Sequence, residues 1–303
     1  MPKIAVFGGT GYLASLIKNQ NSFKKNKYFF FSRKKKAKNY LNNLFTKKNL
    51  KIAKKFEYIV HLIGPNQKQL LKNINLIKKK NQITSNICDL CLRNNIKLIY
   101  ISSMQVYKDY GRNNISTNSK INLKNPYSKA HYESERIIIK KFLNHKNMFT
   151  ILRIGNVFGF KKYENLREMN NNIIHSLCAS ALKKNKITIN NGSIQRTFVP
   201  SKIFIQVLNF MIKKKFFKNS IINISYKNLN LKDAAKVIQN RCKLIFNLNI
   251  NTVIKKFRKQ KKISIYSNQN FKFYPDCKKI YFEIDQILKN INKMTKKYSL
   301  SYK

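Results

Sequence analysis

The chain has 303 residues, 43% of them hydrophobic, and five scattered cysteines, so it can bury a large core without disulfide support. Lysine and arginine outnumber aspartate and glutamate by 63 to 11, a formal charge of +52, and so few acids nearly exclude a metal site built from carboxylates. No apolar run reaches the length of a membrane span, and Met1 leads directly into a strand-like segment, which makes a reduced cytoplasmic protein the expectation.

The first element is an apolar strand, Lys3 to Phe7, followed by "GGTGYLA" and a helix starting near Gly11. Only eight glycines occur in the whole chain, well under the usual ~7%, yet three fall within four positions here: Gly8, Gly9 and Gly11. Gly8 allows a tight turn, Gly11 lets backbone approach a pyrophosphate, and Ala14 is small enough for close helix–strand packing. The helix N-terminus adds amide donors for the anion, so the segment predicts a dinucleotide-binding loop. "KYFFFS" (27 to 32) predicts a second strand and "EYIVHLIG" (57 to 64) a buried strand ending at Gly64. One long helical stretch is expected from about Lys68 to Arg93, then the strand "KLIYISS" (97 to 103). A helix follows from Pro126 to about His145, with Asn125 as its cap, and "FTILRIGNVFG" (149 to 159) reads as strand and loop. Strands alternating with helices predict a parallel sheet, with ligands beyond the carboxyl ends of its strands, where Gly64, Ser102, Ser103 and Asn156 fall.

On these segments the chain resembles the extended short-chain dehydrogenase/reductases, the nucleotide-sugar epimerases and dehydratases. "GGTGYLA" is similar to their cofactor loop, "VHLIG" to the end of their fourth strand, and "YISSMQVY" to their serine–serine segment. "PYSKAHYESE" is similar to their catalytic helix, "LRIGNVFG" to their arginine–asparagine segment, and "NGSIQRTFVPSKIF" to a later substrate loop. The resemblance covers residues 1 to about 240. It implies an α/β fold: a Rossmann-type doubly wound parallel sheet with a smaller C-terminal α/β substrate-binding lobe. The expected domains are 1–160 for dinucleotide binding, with returning segments near 195–225, and an interleaved lobe over 161–303.

The resemblance also implies roles. Gly8, Gly11, Tyr12, Leu13, Leu62 and Ile63 would line the cofactor. Ser103 would hydrogen-bond the substrate hydroxyl or ketone, Tyr127 would be the general acid/base, and Asn156 and Arg196 would hold the substrate diphosphate. The family carries a lysine four residues after its tyrosine, to hold the nicotinamide ribose and lower the tyrosine pKa. Here that position is His131. A rival register, with Lys129 as the lysine, would put Asn125 at the tyrosine position. Pro126 and Glu135 fall in place only with Tyr127 and His131. Histidine is largely neutral near pH 7, so the site is expected to be slow, or tuned to higher pH, or to need only part of the chemistry.

Other departures bear on the ligands. NAD-binding members place an acid after the second strand, where this chain has Ser32 and Arg33. That favours NADP over NAD as cofactor, weakly, because lysines are everywhere. The stretch from Lys34 to Phe56 is short, and a third strand is expected to be missing or minimal. Thr197 stands where the family has an aspartate.

The lysines lie in short runs from end to end, such as Lys34 to Lys36, Lys78 to Lys80 and Lys213 to Lys215. Biased residue usage explains a diffuse excess better than one nucleic-acid site does. Cys88 and Cys91 form a C-x-x-C without a second pair, which reads as helix packing, and His61 reads as structural. No metal is expected. The partners expected are a nucleotide-sugar substrate and a second copy in a homodimer, with no specific nucleic acid. The leading function is an NAD(P)-dependent epimerase, dehydratase or ketoreductase on a nucleotide-activated sugar, in surface polysaccharide synthesis. The alternatives are a catalytically reduced dinucleotide-binding sensor or scaffold, favoured by His131, and an RNA-binding member, favoured by the charge.

Overall fold

The computed structural model describes residues 1–19, 27–32, 54–108, 110, 114–161, 172–257 and 276–300. These fall into two compact units. The first comprises Met1–Lys108, Ser116–Ile154 and Ile205–Ile224, and the second comprises Asp109–Ile115, Gly155–Phe204 and Ser225–Lys303.

The first unit opens with β1 (Lys3–Phe7), α1 (Tyr12–Asn19), β2 (Lys27–Phe31) and β3 (Tyr58–His61). Two helices follow, α2 (Gln67–Lys72) and α3 (Leu76–Arg93), where the sequence suggested one. Asn73 breaks them: it is extended, with φ −149, and its side-chain oxygen accepts from the Asn75 amide. An asparagine that offers the backbone a competing partner ends a helix. The unit continues with β4 (Lys97–Ser103), a 3-10 turn (Met104–Val106), α4 (Pro126–Lys141) and β5 (Phe149–Ile154). Asn125 caps α4 through the Tyr127 amide, as expected. The helix closes at Phe142 rather than at His145.

The second unit contributes β6 (Asn156–Phe158), α5 (Ile173–Lys184), β7 (Lys186–Ile189) and β8 (Gln195–Pro200). Helix α6 (Ser201–Lys213) leads back to β9 (Ser220–Ile224) in the first unit. Then come β10 (Lys227–Asn230), α7 (Leu231–Phe246), β11 (Asn251–Ile254) and α8 (Cys277–Leu300).

The first unit's sheet runs β2-β1-β3-β4-β5-β9, with every pairing parallel. The chain leaves β1 for β2 on one side and returns to β3 on the other. Such a reversal opens a crevice beyond the strand ends. The core packed on one face joins Ala5, Ile59, Leu98 and Ile151 of the strands to Ile87, Cys88 and Cys91 of α3 and Ile138 of α4. Both cysteines are buried, and burial pushes their thiols up, as packing residues would behave. The second unit holds a three-stranded sheet, β10-β8-β6, and a parallel pair, β11-β7. Most of the span from Lys34 to Phe56, where a third strand was in question, lies outside the described residues.

Candidate active site

The glycine loop sits at the reversal of the sheet. Gly8 has φ +95, which an L side chain rarely adopts, and a Cβ there would stand 3.0 Å from Leu62 and 3.1 Å from Ile63. The strand-end residues of β3 therefore press directly on the loop. The Gly8 carbonyl accepts from the Gly11 amide at 2.8 Å, which closes the turn. A Cβ on Gly11 would meet only that carbonyl, at 3.2 Å. Ala14 is fully buried. The five positions Gly8, Gly11, Tyr12, Leu62 and Ile63 thus gather around one turn, and Leu13 continues the first turn of α1. Ser32, just past β2, shares a 3.1 Å hydrogen bond with Thr10 of the loop. Arg33 lies outside the described residues.

A second cluster forms in the same unit where β4 ends beside α4. Ser103 accepts from the Gln105 amide at 3.2 Å, the cap role a strand-end serine often takes. Burial raises the Tyr127 phenol above its ordinary value, and hydrogen bonding with the nearby Ser103 pulls the other way. One helical turn on, the His131 ring lies edge-on to Tyr127 with centroids 4.6 Å apart. Ser103, Tyr127 and His131 are therefore neighbours. Burial lowers the His131 pKa well below the usual range, and the charges of Lys80 and His61 add to the effect, so the imidazole is neutral at pH 7. Lys129 faces solvent and pairs with Glu133 at 3.8 Å, while Asn125 is occupied as a cap.

Behind His131 stand two residues that the sequence reading did not single out. The Tyr100 hydroxyl is 3.0 Å from His131 Nδ1, and it accepts a 2.7 Å bond from Lys80 Nζ. Lys80 belongs to a run of three lysines read as biased residue usage. A signal was present nonetheless: the buried positions of α3 include Ile77, Lys80, Thr84, Ile87 and Cys91, and Lys80 keeps that stripe's helical spacing. Deeper still, Glu135 accepts from Ser102 and forms a bidentate pair with Arg153, both partners nearly inaccessible to solvent.

In the second unit Asn156 and Arg196 meet around Tyr110. Asn156 Nδ2 donates to the Tyr110 hydroxyl at 3.1 Å and to the Thr197 carbonyl at 3.2 Å. The Arg196 guanidinium lies 5.0 Å from the Tyr110 ring centroid. Burial pushes the Tyr110 phenol up to about 12, with Arg196 opposing. Tyr110 was also missed, since a loop tyrosine carries no local pattern. Among the described residues no three His, Cys, Asp or Glu side chains group as a metal site, and no helix is long and apolar enough to cross a membrane.

A family model described as "NAD dependent epimerase/dehydratase family" matches residues 4–225. No curated protein sequence matches. Among solved structures, a UDP-N-acetylglucosamine 4-epimerase from Bacillus cereus is similar at 19% identity and TM-score 0.76, over 96% of this chain and 99% of that one. The UDP-N-acetylglucosamine 4-epimerase from Methanobrevibacter ruminantium, solved with UDP-N-acetylmuramic acid, is similar at 19% identity and TM-score 0.77, over 97% and 99%. MoeE5, solved with UDP-glucose and NAD, aligns at 14% identity and TM-score 0.73, over 97% and 99%.

Proposed function

The chain belongs to the NAD-dependent epimerase/dehydratase family, and from that premise we propose that it epimerises, dehydrates or reduces a nucleotide-activated sugar destined for surface polysaccharide. The observation that carries the reading is the contact of Ser103, Tyr127 and His131 at the end of β4. The glycine loop fits a dinucleotide: Gly8 has no room for a side chain, and the Gly11 Cβ direction is open apart from one carbonyl. When bound, the dinucleotide supplies a reversible hydride acceptor at its nicotinamide.

The chain's own residues would do the following. Gly11, Tyr12 and Leu13 offer backbone to the pyrophosphate, and Leu62 and Ile63 wall the cofactor beside Gly8. Tyr127 takes the proton from a sugar hydroxyl, or returns it, while Ser103 donates a hydrogen bond to the same oxygen and orients it. His131, neutral, donates to the nicotinamide ribose without charging the phenol. Asn156 and Arg196 hold the diphosphate, Arg196 through its planar fork of donors. Ser32 and Arg33 favour the 2′-phosphate of NADP, because neither repels it as an acid would.

Incubation with NAD(H) or NADP(H) and a panel of nucleotide sugars tests this, following reduced-nicotinamide absorbance and separating the products. Turnover is expected on at least one sugar and lost in Tyr127→Phe, with cofactor affinity nearly unchanged, since the lost hydroxyl acts on the substrate proton. Because burial holds the phenol high, the parent's rate should climb with pH above neutrality. Full activity in Tyr127→Phe removes the assignment. Gly11→Val should lose dinucleotide binding in calorimetric titration, because a branched side chain would stand where the pyrophosphate approaches. Equal affinity in a folded variant contradicts the loop assignment.

A further inference from the structure

Of the run Lys78, Lys79 and Lys80, the first two are exposed and the third is 3% exposed. Lys80 Nζ donates to the Tyr100 hydroxyl at 2.7 Å, to the Ala130 carbonyl at 2.7 Å and to Ser134 Oγ at 2.8 Å. An ammonium has three protons, and all three are used. Gly64 makes room for the shaft: a Cβ there would stand 3.0 Å from Lys80 Cε. A glycine in a glycine-poor chain is thus spent on passing a lysine into the interior. Burying a charge is costly unless every donor is satisfied, and here each one is.

As an ammonium, Lys80 can only donate to the Tyr100 oxygen, which leaves the phenol's own proton free for Nδ1 of His131, 3.0 Å away. Nδ1 is then an acceptor, and the imidazole proton resides on Nε2. We propose that Lys80 is a positioning residue that replaces, from α3 and through Tyr100, the lysine absent from position 131, holding His131 neutral in its Nε2–H form so that it has one fixed donor to give. This rests on the roles of Tyr127 and His131 under Proposed function and deepens them. Without Lys80 and Tyr100 a neutral imidazole would divide between two tautomers, and only one would present that donor.

The groups facing Lys80 are Tyr100 from β4, His61 from β3, and His131, Glu133 and Glu135 from α4. Burial lowers its pKa to about 7, and the two glutamates act in the opposite direction. The Lys80 charge in turn depresses His131 and His61, secondarily to their burial. His61 is held by Thr84 Oγ1 at 3.1 Å, and Thr84 is bonded to the Lys80 carbonyl at 3.0 Å, so the histidine behind the relay is itself fixed.

The test is imidazole nitrogen NMR on the full chain, which has four histidines. In the parent below pH 7, where Lys80 keeps its third proton, His131 should show a protonated Nε2 and a bare Nδ1. Tyr100→Phe keeps the ring and Lys80 but cuts the relay, so the His131 signals should move to a tautomer mixture. Lys80→Met should do the same and also move the His131 titration to higher pH. Turnover should fall about twofold or more in each, since roughly half of the imidazole would then carry its proton on the wrong nitrogen. The double change Lys80→Met/His131→Lys should recover at least the parent rate, since a lysine at 131 needs no relay and meets no second ammonium. Unchanged His131 signals in Tyr100→Phe overturn the proposal, as does a double variant no more active than Lys80→Met. Either result makes Lys80 only a tie between α3 and α4. If Lys80→Met fails to fold, Tyr100→Phe still decides. If the parent has no turnover, the proposed function fails separately, while the tautomer and titration still read the relay.

Discussion

At the scale of residues, this protein keeps several titratable side chains uncharged by burying them. His61 is held down to about 3 and His175 to about 4, by burial first in both. The sign of the consequence is fixed. An unfolded chain protonates both imidazoles as pH falls through about 6.5, while the folded chain stays unprotonated until near pH 4 and below. Stability is therefore present above pH 6.5 and should decline as pH falls toward 4, by up to about 1.4 kcal/mol per unit for each histidine. Lys80, lowered to about 7, extends the trend upward: between there and its unfolded value the unfolded chain holds more protons, so stability should still rise with pH. Thermal unfolding across pH checks this, with His175→Gln as comparison, where the acid limb should flatten. The same arithmetic changes what to expect of His131. From the sequence alone, His131→Lys should raise activity by restoring a charge beside Tyr127. In the fold, a new ammonium would be placed one hydroxyl away from Lys80, and the two charges would repel.

At the scale of elements, asparagine does much of the work usually left to glycine. Asn95, Asn147, Asn185, Asn219 and Asn247 have positive φ, and Asn95, Asn185 and Asn247 each follow a helix. Asparagine tolerates the left-handed region better than other side chains, so a chain that avoids glycine can still end its helices. Glycine is kept where even asparagine would not fit, at Gly8 against Leu62 and Ile63. Asn247, at φ 53, accordingly predicts an asymmetric result: Asn247→Val should cost about 1–2 kcal/mol, whereas Asn247→Gly should change stability by under about 0.5 kcal/mol. Chemical denaturation of the two variants measures both. A valine as stable as the parent would contradict the capping account.

At the scale of the whole molecule, the +52 charge is the dominant fact. Several of the eleven acids are committed to local pairs: Glu135 with Arg153, Asp89 with Lys141, Asp285 with Arg241. Most lysines therefore have no acid to pair with and repel one another across the surface. Added salt should raise the melting temperature, since the Debye length shrinks to about 8 Å at physiological strength. Binding to RNA or DNA should be weak, indifferent to sequence and lost in moderate salt. Tight, selective binding that survives such salt would favour the nucleic-acid alternative instead.

The sequence by itself determined what depends on neighbours along the chain. The strand–glycine–helix opening, the alternation of strands and helices, the Asn125 cap and the pairing of Tyr127 with His131 on one helical face are all local. Each follows from periodicity, capping or the absence of a side chain. Only the tertiary structure decided which way Lys80 points. A lysine's burial is settled by partners far along the chain, here Tyr100, Ala130 and Ser134, and nothing within its own run of lysines distinguishes it except its place on the apolar stripe of α3. Tyr110 is the same case: its hydroxyl joins Asn156 and Thr197, residues brought to it by folding, so a single polar loop residue becomes part of a site only once distant segments meet. Local rules act within a few residues, whereas the cost of burying a charge or a hydroxyl is met wherever the fold happens to supply its partners.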